Sequence, residues 1–326
     1  MAISPTLSIV IPIYNEEKNI FFLYERLCNV LSLSGESFEL IFVNDGSRDN
    51  SMVLIKTLSE QDSRVKFIDF SRNFGHQVAV SAGLDYTQGE AVVIIDADLQ
   101  DPPELILDMY HKMQEGYEVV YAKRKKREGE SFLKLWTAKM FYRVLAKITS
   151  ISIPVDTGDF RIISRRVVDI LRKMPERNKY LRGQISWVGF RQTYIEYNRS
   201  ERAHGETGYT YRKMIRFALD GITSFSNFPL KVASIVGFIV SGIAFVVMIF
   251  ALYAYFFTKT AVPGWASLIT SVLFLGGIQL ISIGIIGEYI SRINADVRNR
   301  PLYIVNDTNI ITVNKEIEQF SQSSIV

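Results

Sequence analysis

A chain of 326 residues suits one large domain with an additional element. Its net charge of +3 gives no strong overall field, which argues against a nucleic-acid binder. The single cysteine, Cys28, excludes an intrachain disulfide and a cysteine-rich zinc site; three scattered histidines argue against a histidine-ligated metal.

Ser4-Pro5 leads directly into a first predicted strand, with no signal-peptide pattern before it. Leu7–Ile13, Phe38–Val43, Val65–Phe70 and Ala91–Ile95 read as strands, and Tyr117–Ala122 as a fifth. Glu16–Leu33, Ser51–Gln61, Gln77–Tyr86 and Pro103–Gln114 read as the helices between them. This alternation predicts an α/β domain built on a mainly parallel, Rossmann-like sheet covered on both faces. Ligands of such sheets bind beyond the carboxyl ends of the strands. Polar and acidic groups recur at that edge: Tyr14-Asn15-Glu16, Asn44-Asp45-Gly46-Ser47, Ser71-Arg72-Asn73 and Asp96-Ala97-Asp98-Leu99-Gln100. Neither G-x-G-x-x-G nor G-x-x-x-x-G-K occurs, so a nucleotide held here rests on carboxylates and a metal instead of a glycine cradle. Asp96 and Asp98 follow an apolar run, where two carboxylates repel one another unless a cation lies between them. Oxygen ligands that share a cation with substrate phosphates suit a hard divalent ion.

Further along, Lys123, Arg124, Lys125, Lys126 and Arg127 form a basic run that reads as a loop. Segments near 131–149 and 209–225 alternate aromatic and basic residues in the manner of amphipathic helices lying on a membrane surface. From Val232 to Phe257, and again from Thr260 to Gly287, no charged residue occurs. Each stretch exceeds the roughly 20 residues that span a bilayer core. Lys231 precedes the first stretch; Arg292, Arg298 and Arg300 follow the second. The positive-inside rule then puts both termini in the cytoplasm. The expected organisation is a cytoplasmic domain over 1–230, two transmembrane helices over 231–291, and a tail over 292–326. In that tail Leu302–Val305 and Ile310–Val313 read as a hairpin around a turn at 306–309 that docks on its own domain or, the favoured reading, on the sheet of a neighbouring subunit in a homo-oligomer.

The ordered set Ser8-Ile9-Val10-Ile11-Pro12-Ile13-Tyr14-Asn15-Glu16, Val43-Asn44-Asp45-Gly46-Ser47 and Asp96-Ala97-Asp98-Leu99-Gln100-Asp101-Pro102-Pro103 resembles glycosyltransferase family 2, with its GT-A fold. Asp156-Thr157-Gly158-Asp159-Phe160-Arg161, Arg202-Ala203-His204-Gly205-Glu206-Thr207 and Arg300-Pro301-Leu302-Tyr303 extend the resemblance to polyprenyl-phosphate glycosyltransferases, closest to the bactoprenol glucosyltransferases. That resemblance implies an inverting transfer of a hexose to polyprenyl (undecaprenyl) phosphate at the plasma membrane. Glucose from UDP-glucose leads; GDP-mannose or an aminoarabinose donor follows. It places Pro12, Tyr14, Glu16, Asp45 and Asp96 about the nucleotide sugar. Asp98 and Gln100, with Asp96, would hold Mg²⁺ or Mn²⁺. Asp159 would lie near the attacking oxygen, as base or as orienting charge, with Asp156 the competing choice. Arg202 would reach the phosphates, and Lys123, Arg124 and Arg127 would hold the lipid phosphate. A processive polysaccharide synthase is the rival enzyme, but Gln184-Ile185-Ser186-Trp187 lacks the arginine of its Gln-x-x-Arg-Trp motif.

Overall fold

The computed structural model describes residues 5–125, 157–198, 228–253, 257 and 264–310. They divide into two compact units. The first is built on one eight-stranded sheet. Its strands are β1 (Leu7–Ile13), β2 (Phe38–Asn44), β3 (Val65–Phe70), β4 (Ala91–Ile94), β5 (Val119–Arg124), β6 (Thr157–Ser164), β7 (Gln192–Tyr197) and β8 (Val305–Thr308). Their spatial order is β7-β5-β6-β4-β1-β2-β3-β8. The four central strands are parallel to one another, as are β5 and β7. Strands β6 and β8 run antiparallel to their neighbours. Strand order reverses between β1 and β4, which opens a crevice at their carboxyl ends.

Alternation along β1 shows why the sheet is covered on both sides. Leu7, Ile9, Ile11 and Ile13 join one apolar cluster and Val10 the other. Helices α1 (Ile20–Ser32), α2 (Ser51–Gln61) and α4 (Leu105–Gln114) supply side chains to the first cluster. Helices α3 (His76–Tyr86), α5 (Arg165–Arg172) and α6 (Leu181–Val188) supply the second. Truncating a fully buried residue such as Ile11 to alanine costs about 2–5 kcal/mol.

Several boundaries differ from those expected. Helix α1 begins at Ile20 instead of Glu16, because residues 14–19 are committed to a turn. The Glu16 carbonyl accepts from the amides of Asn19 and Ile20, and its carboxylate accepts from Asn19 Nδ2 at 2.6 Å. Strand β5 extends to Arg124, so Lys123 and Arg124 are strand residues, not loop residues.

The tail also departs from expectation. Residues 305–308 form one strand where a hairpin turn was expected, and of the two expected docking partners it takes its own domain, pairing with the edge of β3 in the same chain. Partners on β3 override a turn-forming composition: Thr308 Oγ1 donates to the Phe67 carbonyl at 2.6 Å, and Asn309 Oδ1 accepts from the Phe67 amide at 2.8 Å. The second predicted tail strand falls mostly outside the described residues.

The second unit contains α7 (Phe228–Tyr253) and α8 (Trp265–Val297). Both are long and apolar enough to cross a bilayer. Helix α8 continues past the expected end at residue 291, and the first unit resumes at Arg300. The segments expected to be interfacial helices, 131–149 and 209–225, lie outside the described residues.

Candidate active site

Four sheet-end loops build the site. In the loop after β1, Asn15 adopts φ 57°, a left-handed conformation uncommon outside glycine. Its amide donates to Ser47 Oγ at 2.9 Å, and its side-chain oxygen accepts from the Arg48 amide at 2.8 Å. The loops after β1 and β2 are thereby locked together. Asp45 is buried and accepts from the Phe74 amide at 2.6 Å and the Gly75 amide at 3.0 Å, which ties in the loop after β3. Burial raises the Asp45 pKa, and those two amides oppose the shift. Gly46, at φ +64°, lets the chains touch: a Cβ there would lie 2.5 Å from the Arg72 carbonyl carbon.

Between these loops lies a cavity of 410 Å³ lined by residues including Tyr14, Asn44, Gly46, Ser47, Asp69 and Arg72. Of the residues expected about a nucleotide, Tyr14 lines it and is exposed. Pro12 is buried within β1, opposite Val43. Asp45 lies under the loops as their anchor, and Glu16 is drawn into the turn before α1, where its amide donates to Ser51 Oγ.

Asp96 and Asp98 follow β4 directly. Asp98 is buried and its Oδ1 accepts from the Gln100 amide at 3.2 Å. Leu99 between them has φ 59°, a second left-handed non-glycine residue at this edge, a strain that clusters at functional sites. Asp96 Oδ1 is buried and accepts no hydrogen bond from the described residues. Burial pushes Asp96 up to about 6; His76 opposes, while Asp159, Asp101 and Asp98 add like-charge repulsion. Among the described residues no three acidic, histidine or cysteine side chains gather as a complete metal cage. Two carboxylates and an amide, one carboxylate oxygen lacking a hydrogen-bond donor, fit a Mg²⁺-like ion that takes its remaining oxygens from substrate phosphates and water.

Asp159, on β6, is the most heavily engaged carboxylate of the site. Its Oδ1 accepts from Arg182 Nε at 2.9 Å and the Arg161 guanidinium at 3.3 Å. Its Oδ2 lies 3.2 Å from His76 Nε2 and accepts from Gln77 Nε2 at 3.4 Å. A carboxylate has about four lone-pair positions, and all are engaged. Burial works against the charge, but Arg182, His76 and Arg161 hold Asp159 well below the usual carboxylate range. His76 also lies 3.6 Å from Asp96 Oδ1. Burial disfavours its cation, yet the bond to Asp159 and the two carboxylates carry its imidazole up to about 9.

His76, Arg161 and Arg182 were not singled out as site residues from sequence. His76 carried a signal, because it directly follows the loop at the end of β3. Arg182 carried none, since nothing local connects α6 to β6. Among the expected phosphate ligands, Lys123 pairs with Glu196 at 3.2 Å, and Arg124 Nε donates to the Tyr197 hydroxyl at 3.4 Å. Arg127, Asp156 and Arg202 lie outside the described residues.

The cavity lies at the carboxyl ends of β1, β2 and β3, and the acidic pair after β4 and Asp159 on β6 share that edge of the sheet. The chain belongs to glycosyl transferase family 2, whose model matches residues 8–171, and it is a glycosyltransferase. Residues 228–293 match a second model, the GtrB C-terminal hairpin. The chain is 55% identical to the uncharacterized glycosyltransferase YkcC of Bacillus subtilis, across 91% of this chain and 92% of that protein. It is 48% identical to the uncharacterized glycosyltransferase sll0501 of Synechocystis, across 92% and 95%. It is 42% identical to the prophage bactoprenol glucosyl transferase homolog of Escherichia coli, across 92% and 98%.

Proposed function

We propose that this glycosyltransferase moves glucose from UDP-glucose to polyprenyl (undecaprenyl) phosphate, with inversion, at the cytoplasmic face of the plasma membrane. The observation that carries this reading is the convergence of Asp96, Asp98 and the Asp159 cluster on one sheet edge, beside the cavity. The name of the Escherichia coli relative supports the glucosyl group and the bactoprenol carrier. The two long apolar helices support a membrane-borne acceptor.

The nucleotide lies in the cavity between Tyr14 and Arg72, and its diphosphate points towards the end of β4. Asp98, Gln100 and Asp96 would hold a divalent ion, Mg²⁺ or Mn²⁺, which would supply positive charge against the leaving diphosphate. The acceptor needs little help to attack. A phosphate monoester has its second pKa near 6 and is largely dianionic at pH 7. Asp159 therefore serves as a fixed anion that orients Arg182 and His76, not as a proton acceptor. Arg202 reaches the phosphates, and Arg124 and Arg127 of the basic run hold the lipid phosphate, with Lys123 beside them already paired with Glu196.

Product mass spectrometry tests the reading. The full-length protein is incubated with undecaprenyl phosphate, Mg²⁺ or Mn²⁺, and a panel containing UDP-glucose, GDP-mannose and a UDP-aminoarabinose donor. A hexosyl-phosphoryl-undecaprenol formed from UDP-glucose alone is expected. Product from another donor only would reassign the sugar, and a growing polysaccharide would reassign the reaction.

A further inference from the structure

Strand β8 does more than cover the edge of β3. Its register slips by one residue: Asp307 lies opposite Asp69 and Val305 opposite Phe70, which leaves Asn306 as the extra residue of a β-bulge. A bulge re-aims a side chain, and here Asn306 Nδ2 donates to Asp69 Oδ2 at 2.9 Å. The other Asp69 oxygen accepts from Asn44 Nδ2 at 2.7 Å. With its amide nitrogen so committed, Asn44 turns its Oδ1 to the Ser47 amide at 3.3 Å, and Ser47 Oγ accepts from the Asn15 amide. Asp69, Asn44 and Ser47 all line the cavity, whereas Asn306 does not. Tyr303, just before β8, stacks on Phe70 with ring centroids 5.2 Å apart, and its hydroxyl donates to Asp85 at 2.9 Å.

We infer that Asn306 is a positioning residue for the nucleotide: through Asp69 and Asn44 it fixes the cavity wall formed by the loop after β2. This rests on the reading of the cavity as the nucleotide site. Buried Asp69 accepts two amide donors, one on each oxygen. The Asn306 donor fixes the carboxylate plane and, with it, the rotamer of Asn44. Without that donor, Asp69 can rotate, Asn44 loses its fixed amide orientation, and the turn at Ser47 loosens. The expected signature is therefore selective for the donor substrate. The lipid acceptor lies towards Asp159 and is spared.

Asn306→Asp tests this in the full-length, detergent-solubilised protein, because it sets two carboxylates against each other. The expected result is a roughly tenfold or greater rise in the KM for UDP-glucose, the scale of one lost charge-assisted hydrogen bond, with the undecaprenyl-phosphate KM unchanged. Adding Asp69→Asn restores an amide–carboxylate pair in reverse, and the double variant should return to within about threefold of wild type. Hydrogen exchange at the amides of Ser47 and Asn15 should quicken in Asn306→Asp and recover in the double variant. A wild-type UDP-glucose KM in Asn306→Asp, or failure of Asp69→Asn to restore it, overturns the inference. Equal rises in both substrates' KM with a fallen melting temperature also overturn it, because that pattern is general destabilisation. If wild-type protein binds neither UDP-glucose nor UDP, the nucleotide reading fails. The exchange data then decide the relay separately: unchanged Ser47 and Asn15 protection removes it.

Discussion

Arg182 Nε lies 2.9 Å from Asp159 Oδ1, joining a helix and a strand that are 23 positions apart in sequence. With Arg161 and His76 on the same carboxylate, it keeps Asp159 ionised throughout the working pH range. Group-transfer enzymes that rely on a carboxylate base need its pKa near the operating pH. Asp159 is held the other way.

The first prediction follows. Asp159→Asn should lower kcat by about 10²–10³-fold, because Arg182 and His76 lose their orienting charge. Asp159 is already deprotonated from about pH 6 to pH 9, so the loss should not shrink as pH rises. It should grow, because His76, held up to about 9 in part by Asp159, sheds its proton at lower pH in the variant. Steady-state rates across that range check it. A loss that shrinks as pH rises would restore a proton-accepting role.

Asp98→Asn should abolish transfer while the protein stays folded. An amide is a weaker ligand than a carboxylate for a hard cation, and Asp98 sits in a loop, not in the sheet core. Titration with Mg²⁺ and Mn²⁺, beside a thermal melt, separates lost metal function from lost structure. Near-normal turnover in either metal would remove Asp98 from the metal site.

Gly46→Ala places a Cβ within 2.6 Å of the Asn73 nitrogen and forces a non-glycine residue into φ +64°. The backbone strain alone is worth about 1–3 kcal/mol. The loops after β2 and β3 must separate, so UDP affinity should fall at least tenfold, measured by calorimetry. Wild-type affinity would show that the contact between these loops does not shape the cavity.

For membrane topology, reporters at the N-terminus and after Val326 should report cytoplasm, and one inserted at Thr260 should report the outside. Lys231 before the first apolar stretch, and Arg292, Arg298 and Arg300 after the second, give the charge asymmetry. A cytoplasmic signal at Thr260 would overturn this orientation.

The sheet's centre was legible because its strands are apolar on both faces. Leu7–Ile13 and Val65–Phe70 form strands with the expected limits. Placing Asp45, Asp96 and Asp98 at one edge required only the alternation of strand and helix. What was not legible depends on contacts distant in sequence. Asn306-Asp307-Thr308-Asn309 has the composition of a turn, and its first three residues join Val305 in a strand because β3 offers them an edge. His76 and Asp159 meet across 83 positions, which no local pattern encodes. Lys123 and Arg124 looked like loop cations because charge dominates their composition, yet β7 recruits both into the sheet.

The partnership of β3 with β8 has a consequence for synthesis. The Phe67 amide waits for Asn309, 242 positions later, and both long apolar helices are made in between. At translation rates of about 5–20 residues per second, the edge of β3 stays open for roughly 10–50 s after it emerges. An open strand edge can pair with other nascent chains, and charged side chains discourage this. Lys66 and Asp69 on β3 supply such charge during that interval. Among the described strands β8 is the last to leave the ribosome, and it is the one that closes the edge of β3.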